Sequence, residues 1–176
     1  MTRWPAFAAR RVAVGLQILA VLGLWLAVGA YQTRRHAGGG GVPAPAFTLT
    51  DLAGRRIALH DFRNRKVVLH FFATWCGVCK AELPSVRRVH ASLDEDEVLL
   101  AIAADSDDPE SLRRFASEHD LRYPILLATD EVLSAYAVDR YPTNYYLNGD
   151  GSVSSSTVGL ATLFGMKLRL LRTHRE

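Results

Sequence analysis

Cys76 and Cys79 are the only cysteines in a chain of 176 residues, and they stand three positions apart. A pair so close cannot tie distant parts of a fold together, which excludes a structural disulfide framework. As half of a zinc site the pair would need two more ligands, yet neither a second C-x-x-C nor an H-x₃₋₅-H spacing is present. The chemistry that suits it is thiol–disulfide exchange, in which a thiolate attacks a sulfur of another disulfide. The flanking residues favour a thiolate. Val67, Val68, Leu69, Phe71 and Phe72 make an apolar run broken only by His70, the pattern of a strand covered on both faces. From Cys79 onward the apolar positions become Leu83, Val86, Val89 and Leu93, a helical period. Cys76 thus falls at a helix start, where free N–H groups and the helix dipole favour an anion. There a thiol pKa drops from about 8.5 into a range of roughly 3.5 to 7.5.

The elements around this junction follow from the same patterns. Phe47 to Leu59 reads as two short strands about the Ala53-Gly54 turn, and Glu97 to Ala104 as a second buried strand. Pro109 suits the first position of a helix over Glu110 to His119. Tyr123 to Leu127 is a short strand, Glu131 to Tyr136 a short helix and Asn144 to Leu147 another strand. Asn148-Gly149-Asp150-Gly151 is a hairpin turn signal, and Val153 to Val158 the returning strand. An amphipathic helix over Leu160 to Arg172 closes the chain. The order β-β-α-β-α-β-α-β-β-α predicts an α/β domain over residues 47–176, a mixed sheet with helices on both faces.

Ahead of that domain, residues 12–31 hold no charge and one strongly polar side chain, Gln17. About twenty helical residues span roughly 30 Å, the thickness of a bilayer core. Arg3, Arg10 and Arg11 precede the run, so residues 1–11 are expected in the cytoplasm and everything after Tyr31 outside it. A cleaved signal sequence is the rival, with Val28-Gly29-Ala30 as its cleavage site, but the apolar run is longer than a signal core. Residues 32–46, with Gly38 to Gly41 followed by Pro43 and Pro45, read as a flexible linker. The formal charge of +3 comes from the N-terminus: five arginines and no acid lie in the first 36 residues, leaving 16 basic against 18 acidic side chains. A basic nucleic-acid surface is not indicated.

The chain resembles the thioredoxin superfamily, and within it the TlpA/ResA-like thiol–disulfide oxidoreductases anchored to bacterial membranes. The likeness spans about residues 43–170. PAFTLTDLAGRRIAL resembles the family's opening hairpin, FFATWCGVCKAELP its W-C-x-x-C-x-x-E-x-P pattern, and YPTNYYLNGDGSV its cis-proline loop and final hairpin. The resemblance implies a thioredoxin-like fold, with Cys76 as the exposed attacking thiol and Cys79 as the resolving thiol one turn inward. It further implies a client-facing rim of Trp75, Tyr141, Pro142 and Thr143, with a cis bond before Pro142 and the Tyr141 backbone turned toward an incoming peptide. Glu82 falls on the family's glutamate and is either the acceptor for the Cys79 proton or a surface acid paired with a basic neighbour. His70 stands where thioredoxins carry a buried aspartate, as a proton relay or a hydrogen-bonded core residue. Pro84 should kink the active-site helix by freeing the Lys80 carbonyl.

Val78 stands where the family usually has proline, which bears on redox potential. Gly77 and Val78 bring no charge to stabilise a reduced thiolate, so the expected direction is reduction of protein disulfide clients, and the resemblance implies a membrane electron donor that returns the pair to the dithiol. The expected location is the bacterial inner membrane, single-pass, with the C-terminal domain in the periplasm and no cofactor or metal. The alternatives are an oxidant or isomerase of the same fold, or a copper-binding module using Cys76 and Cys79. A peroxiredoxin would need a P-x-x-x-T-x-x-C pattern, which is absent.

Overall fold

A computed structural model describes Gln17, residues 41–105 and residues 108–174. The chain divides into the units Met1–Arg35 and His36–Glu176, and the elements below belong to the second. Among the described residues no helix is long and apolar enough to cross a membrane. Apart from Gln17, the expected cytoplasmic segment 1–11 and anchor 12–31 lie outside the described residues, as do residues 32–40 of the linker.

The elements are β1 (Val42–Pro43), β2 (Thr48–Thr50), β3 (Arg56–Ala58), a 3₁₀ turn (Leu59–Phe62), β4 (Lys66–Phe72), α1 (Gly77–His90), β5 (Glu97–Ala103), α2 (Pro109–Glu118), β6 (Ile125–Leu127), α3 (Asp130–Ala135), β7 (Thr143–Leu147), β8 (Ser152–Val158) and α4 (Leu163–Leu171). Six strands form one sheet in the order β1-β8-β7-β4-β5-β6, and β2 pairs with β3 as a separate hairpin. β4, β5 and β6 run parallel, whereas β7 lies antiparallel beside β4 and β8 antiparallel beside β7. The expected mixed sheet with helices on both faces is the architecture found.

Alternation along β4 divides the core. Val68 and Phe72 pack under α1, α2 and α4 with Leu83, Val86, Phe115, Tyr146 and Met166. Val67, Leu69 and Phe71 pack on the other face with Phe47, Leu49, Tyr136 and Tyr145 from the hairpin, α3 and β7. His70 shares its parity with Val68 and Phe72, so it points beneath α1 rather than to the opposite face.

Most boundaries fall within two residues of the sequence reading, and two depart further. Residues 41–46 belong to the expected linker, yet Val42 and Pro43 pair with Val153 and Ser152 at the sheet edge. Gly41 N–H donates to Val153 O and Ala44 N–H to Gly151 O, an arrangement that asks no donor of Pro43. The last helix begins at Leu163 instead of Leu160, because the Thr162 hydroxyl caps it by accepting from Gly165 N–H. Residues 159–162 are therefore a loop, and Leu160 is exposed.

Candidate functional site

The C-terminal end of β4 runs directly into the turn that carries the cysteines. Thr74 is held there by Asp105, at the end of the neighbouring parallel strand β5, whose carboxylate accepts from both the Thr74 N–H and hydroxyl. Cys76 is the N-cap of α1, and its Sγ accepts from Cys79 N–H at 3.1 Å. This is the anion-favouring position expected from the sequence. The two cysteines form a disulfide, the oxidised state of the pair, with Cα atoms 5.2 Å apart.

Cys79 is fully buried, as expected of an inward thiol, but Cys76 is only 7% exposed rather than open to solvent. The cover comes from the loop before β7, whose Tyr141 carbonyl oxygen lies 3.6 Å from Cys76 Sγ. The Tyr141–Pro142 peptide bond is cis. Trp75 is 69% exposed and meets the Tyr141 ring edge to face at 5.8 Å, so these two side chains rim the disulfide together. Gly159 N–H donates to Pro142 O at 2.8 Å, which brings the loop holding Leu160 to the same rim. Trp75, Val78 in the first turn of α1 and Leu160 beside Gly159 are exposed apolar side chains of these segments. Thr143 does not join them. It is buried between β4 and β8, and its hydroxyl donates to Arg140 O at 2.7 Å.

Under the disulfide lies a buried polar network. Glu82, one turn beyond Cys79 on α1, is completely buried, which overturns the surface-acid reading. Its Oε1 accepts from Ala161 N–H at 2.7 Å and from Asn144 Nδ2 at 3.2 Å. Its Oε2 has no hydrogen-bond partner among the described residues. Burial pushes the Glu82 carboxyl up from 4.5 to about 7, against the pull of its two N–H donors. His70 is also fully buried, stacked on Phe72, with Nδ1 2.8 Å from Asn144 Oδ1 and Nε2 without a hydrogen-bond partner among the described residues. Burial holds the imidazole down at about 4, from an ordinary 6.5, and the Asn144 bond opposes that only in part. The 3.7 Å approach of His70 Nδ1 to Glu82 Oε2 is therefore not an ion pair between about pH 4 and 7, where both groups are neutral, and it is too long for a hydrogen bond. In that window Glu82 carries a proton, and just above it is a base matched to neutral pH.

Asn144 and Asp105 were missed from the sequence. Each left a trace: Asn144 is an amide inside the strand TNYYL, and an amide buried there needs partners. Asp105 follows a buried parallel strand at its C-terminal end, where α/β folds place functional groups. Among the described residues no group of three or more His, Cys, Asp or Glu side chains could hold a metal ion.

The sequence pattern of the AhpC/TSA family matches residues 41–156. Thiol-disulfide oxidoreductase ResA of Bacillus thuringiensis subsp. konkukian (strain 97-27) is 32% identical over 154 residues, covering 86% of this chain and 88% of that protein. Thioredoxin-like protein YneN of Bacillus subtilis (strain 168) is 33% identical over 132 residues, 74% of this chain and 78% of that one. Among solved structures, a putative thiol:disulfide interchange protein DsbE from Chlorobium tepidum superposes with a TM-score of 0.69 at 22% identity, covering 76% of this chain and 96% of the other. StoA from Bacillus subtilis does so at 0.63 and 24%, over 72% and 96%. These structural likenesses speak for the fold.

Proposed function

Because the chain belongs to the AhpC/TSA family, a thioredoxin-like family, and is a thiol–disulfide oxidoreductase, we propose that it reduces disulfides of protein clients outside the cytoplasm, held at the bacterial inner membrane by residues 12–31. The observation that carries the reading is the Cys76–Cys79 pair at the start of α1, with Cys76 Sγ against the Tyr141 carbonyl and an apolar rim around it. A rim of Trp75, Val78 and Leu160 suits a polypeptide better than a small polar oxidant.

In the dithiol state the Cys76 thiolate, favoured by the Cys79 N–H and the helix dipole, attacks a client disulfide. One client sulfur leaves as thiolate and the other is held as a mixed disulfide with Cys76. Cys79 gives its proton to Glu82, attacks Cys76 Sγ and releases the second client thiolate, leaving the Cys76–Cys79 disulfide. The client gains two electrons and the pair loses two. A membrane electron donor then returns the pair to its reduced state, as the resemblance to membrane-anchored oxidoreductases implies.

Cys79→Ser tests the order of attack. The variant should accumulate a client disulfide-bonded through Cys76, whereas Cys76→Ser should form none. Mixed disulfide through position 79 in Cys76→Ser would reverse the roles. Direction is read by equilibrating the pair in glutathione buffers, where a potential above that of the extracytoplasmic thiol pool would make the protein an oxidant.

A further inference from the structure

We propose that Asn144 is a positioning residue of the exchange reaction: its amide occupies Glu82 Oε1 and His70 Nδ1, so that Glu82 Oε2 is the carboxyl oxygen left to receive the Cys79 proton. The proposal rests on the reading of Glu82 as that acceptor.

Asn144, the second residue of β7, is fully buried, across from His70 on β4 and from Thr157 on β8. Its Nδ2 donates to Glu82 Oε1, which Ala161 N–H also reaches. Two donors use the lone pairs of Oε1, while Oε2 has none among the described residues. A proton arriving on this carboxyl therefore goes to Oε2. The same contact settles the amide and the imidazole. Turned over, the amide would set its oxygen against Glu82 Oε1, acceptor to acceptor. In the orientation found, Asn144 Oδ1 accepts from His70 Nδ1–H, which makes Nε2 the bare nitrogen. That hydrogen, given to Asn144, is not turned onto Glu82 Oε2 at 3.7 Å, where it would hold the carboxyl as an anion and occupy the receiving oxygen.

The other titratable groups around Glu82 do not compete. Cys79 lies one turn back on α1. Tyr146 of β7 and Tyr123 before β6 are phenols raised by burial, Tyr146 to about 12, and both stay neutral. Arg169 of α4 and Arg87 of α1 act on those two phenols. The facing position on β5, Ala101, and Thr157 on β8 do not ionise.

Asn144→Asp keeps an acceptor for His70 and turns the donor facing Glu82 Oε1 into a second carboxyl. In ¹³C-glutamate-labelled oxidised protein, the Glu82 carboxyl midpoint should rise by about one pH unit or more. The pH midpoint for resolving a Cys76-linked mixed disulfide should rise with it, and this rise should vanish in Glu82→Gln/Asn144→Asp. In the unmodified protein, ¹⁵N NMR should find His70 neutral with hydrogen on Nδ1, a measurement that needs no variant to fold. An Nε2–H tautomer, an unmoved Glu82 midpoint, or a rise that persists without Glu82 would each overturn the proposal. If Glu82→Gln alone leaves the exchange profile unaltered, the acceptor reading fails first and the role of Asn144 falls with it.

Discussion

His70 and Glu82 should conceal each other's effect on stability, and removing either should expose the other. In the unfolded chain Glu82 loses its proton near 4.5 and His70 near 6.5; in the fold the values are about 7 and about 4. Between pH 4.5 and 6.5 the unfolded pair holds one proton, on histidine, and the folded pair also holds one, on glutamate. Stability changes with pH in proportion to the difference in bound protons, so this pair contributes no slope there. Without the glutamate, in Glu82→Gln, the depressed histidine remains. Its contribution is complete above 6.5 and lost as pH falls toward 4. Two and a half pH units at about 1.4 kcal/mol each make that loss about 3 kcal/mol. Without the histidine, in His70→Asn, the raised glutamate remains. Its contribution is complete below 4.5 and lost as pH rises through 7, again by about 3 kcal/mol. Urea unfolding of the oxidised protein at half-unit steps from pH 4 to 8, at fixed ionic strength, reads these slopes as differences from the unmodified chain. The two variants should tilt in opposite directions. Parallel curves for all three proteins would mean that the buried groups carry their ordinary charges, and the account of the network would be wrong.

Two further outcomes separate the rim from the scaffold. Trp75→Ala removes an exposed ring in contact with Tyr141, so kcat/KM for a protein disulfide should fall about tenfold, with stability changed by less than about 1 kcal/mol. An equal loss toward a small disulfide would assign Trp75 to the chemistry instead. Thr143→Val deletes the buried hydroxyl bond to Arg140 O and should cost about 1 kcal/mol of stability in urea unfolding, leaving the client KM where it was. A raised KM at unchanged stability would restore Thr143 to the client surface.

Sequence alone was enough for the redox pair, its place between a buried strand and a helix, and the α/β class. These are local matters: spacing, apolar period and turn chemistry act over a few residues. Pro109 at the start of α2 and the Asn148–Gly151 turn were legible for the same reason. The edge pairing of Val42 and Pro43 was not, because a linker composition shows no partner strand. Nor could the sequence tell that Glu82 is buried. Position 82 lies between Ala81 and Leu83 on a helix of mixed polarity, and only packing beneath α1, with Ala161 N–H arriving from 79 residues away, makes it a carboxyl with a raised pKa. Asn144 meets His70 only because β7 runs antiparallel beside β4 in one particular register. Tertiary structure decided which polar groups lost their water, and desolvation depends on every neighbour at once rather than on the residues adjacent in the chain.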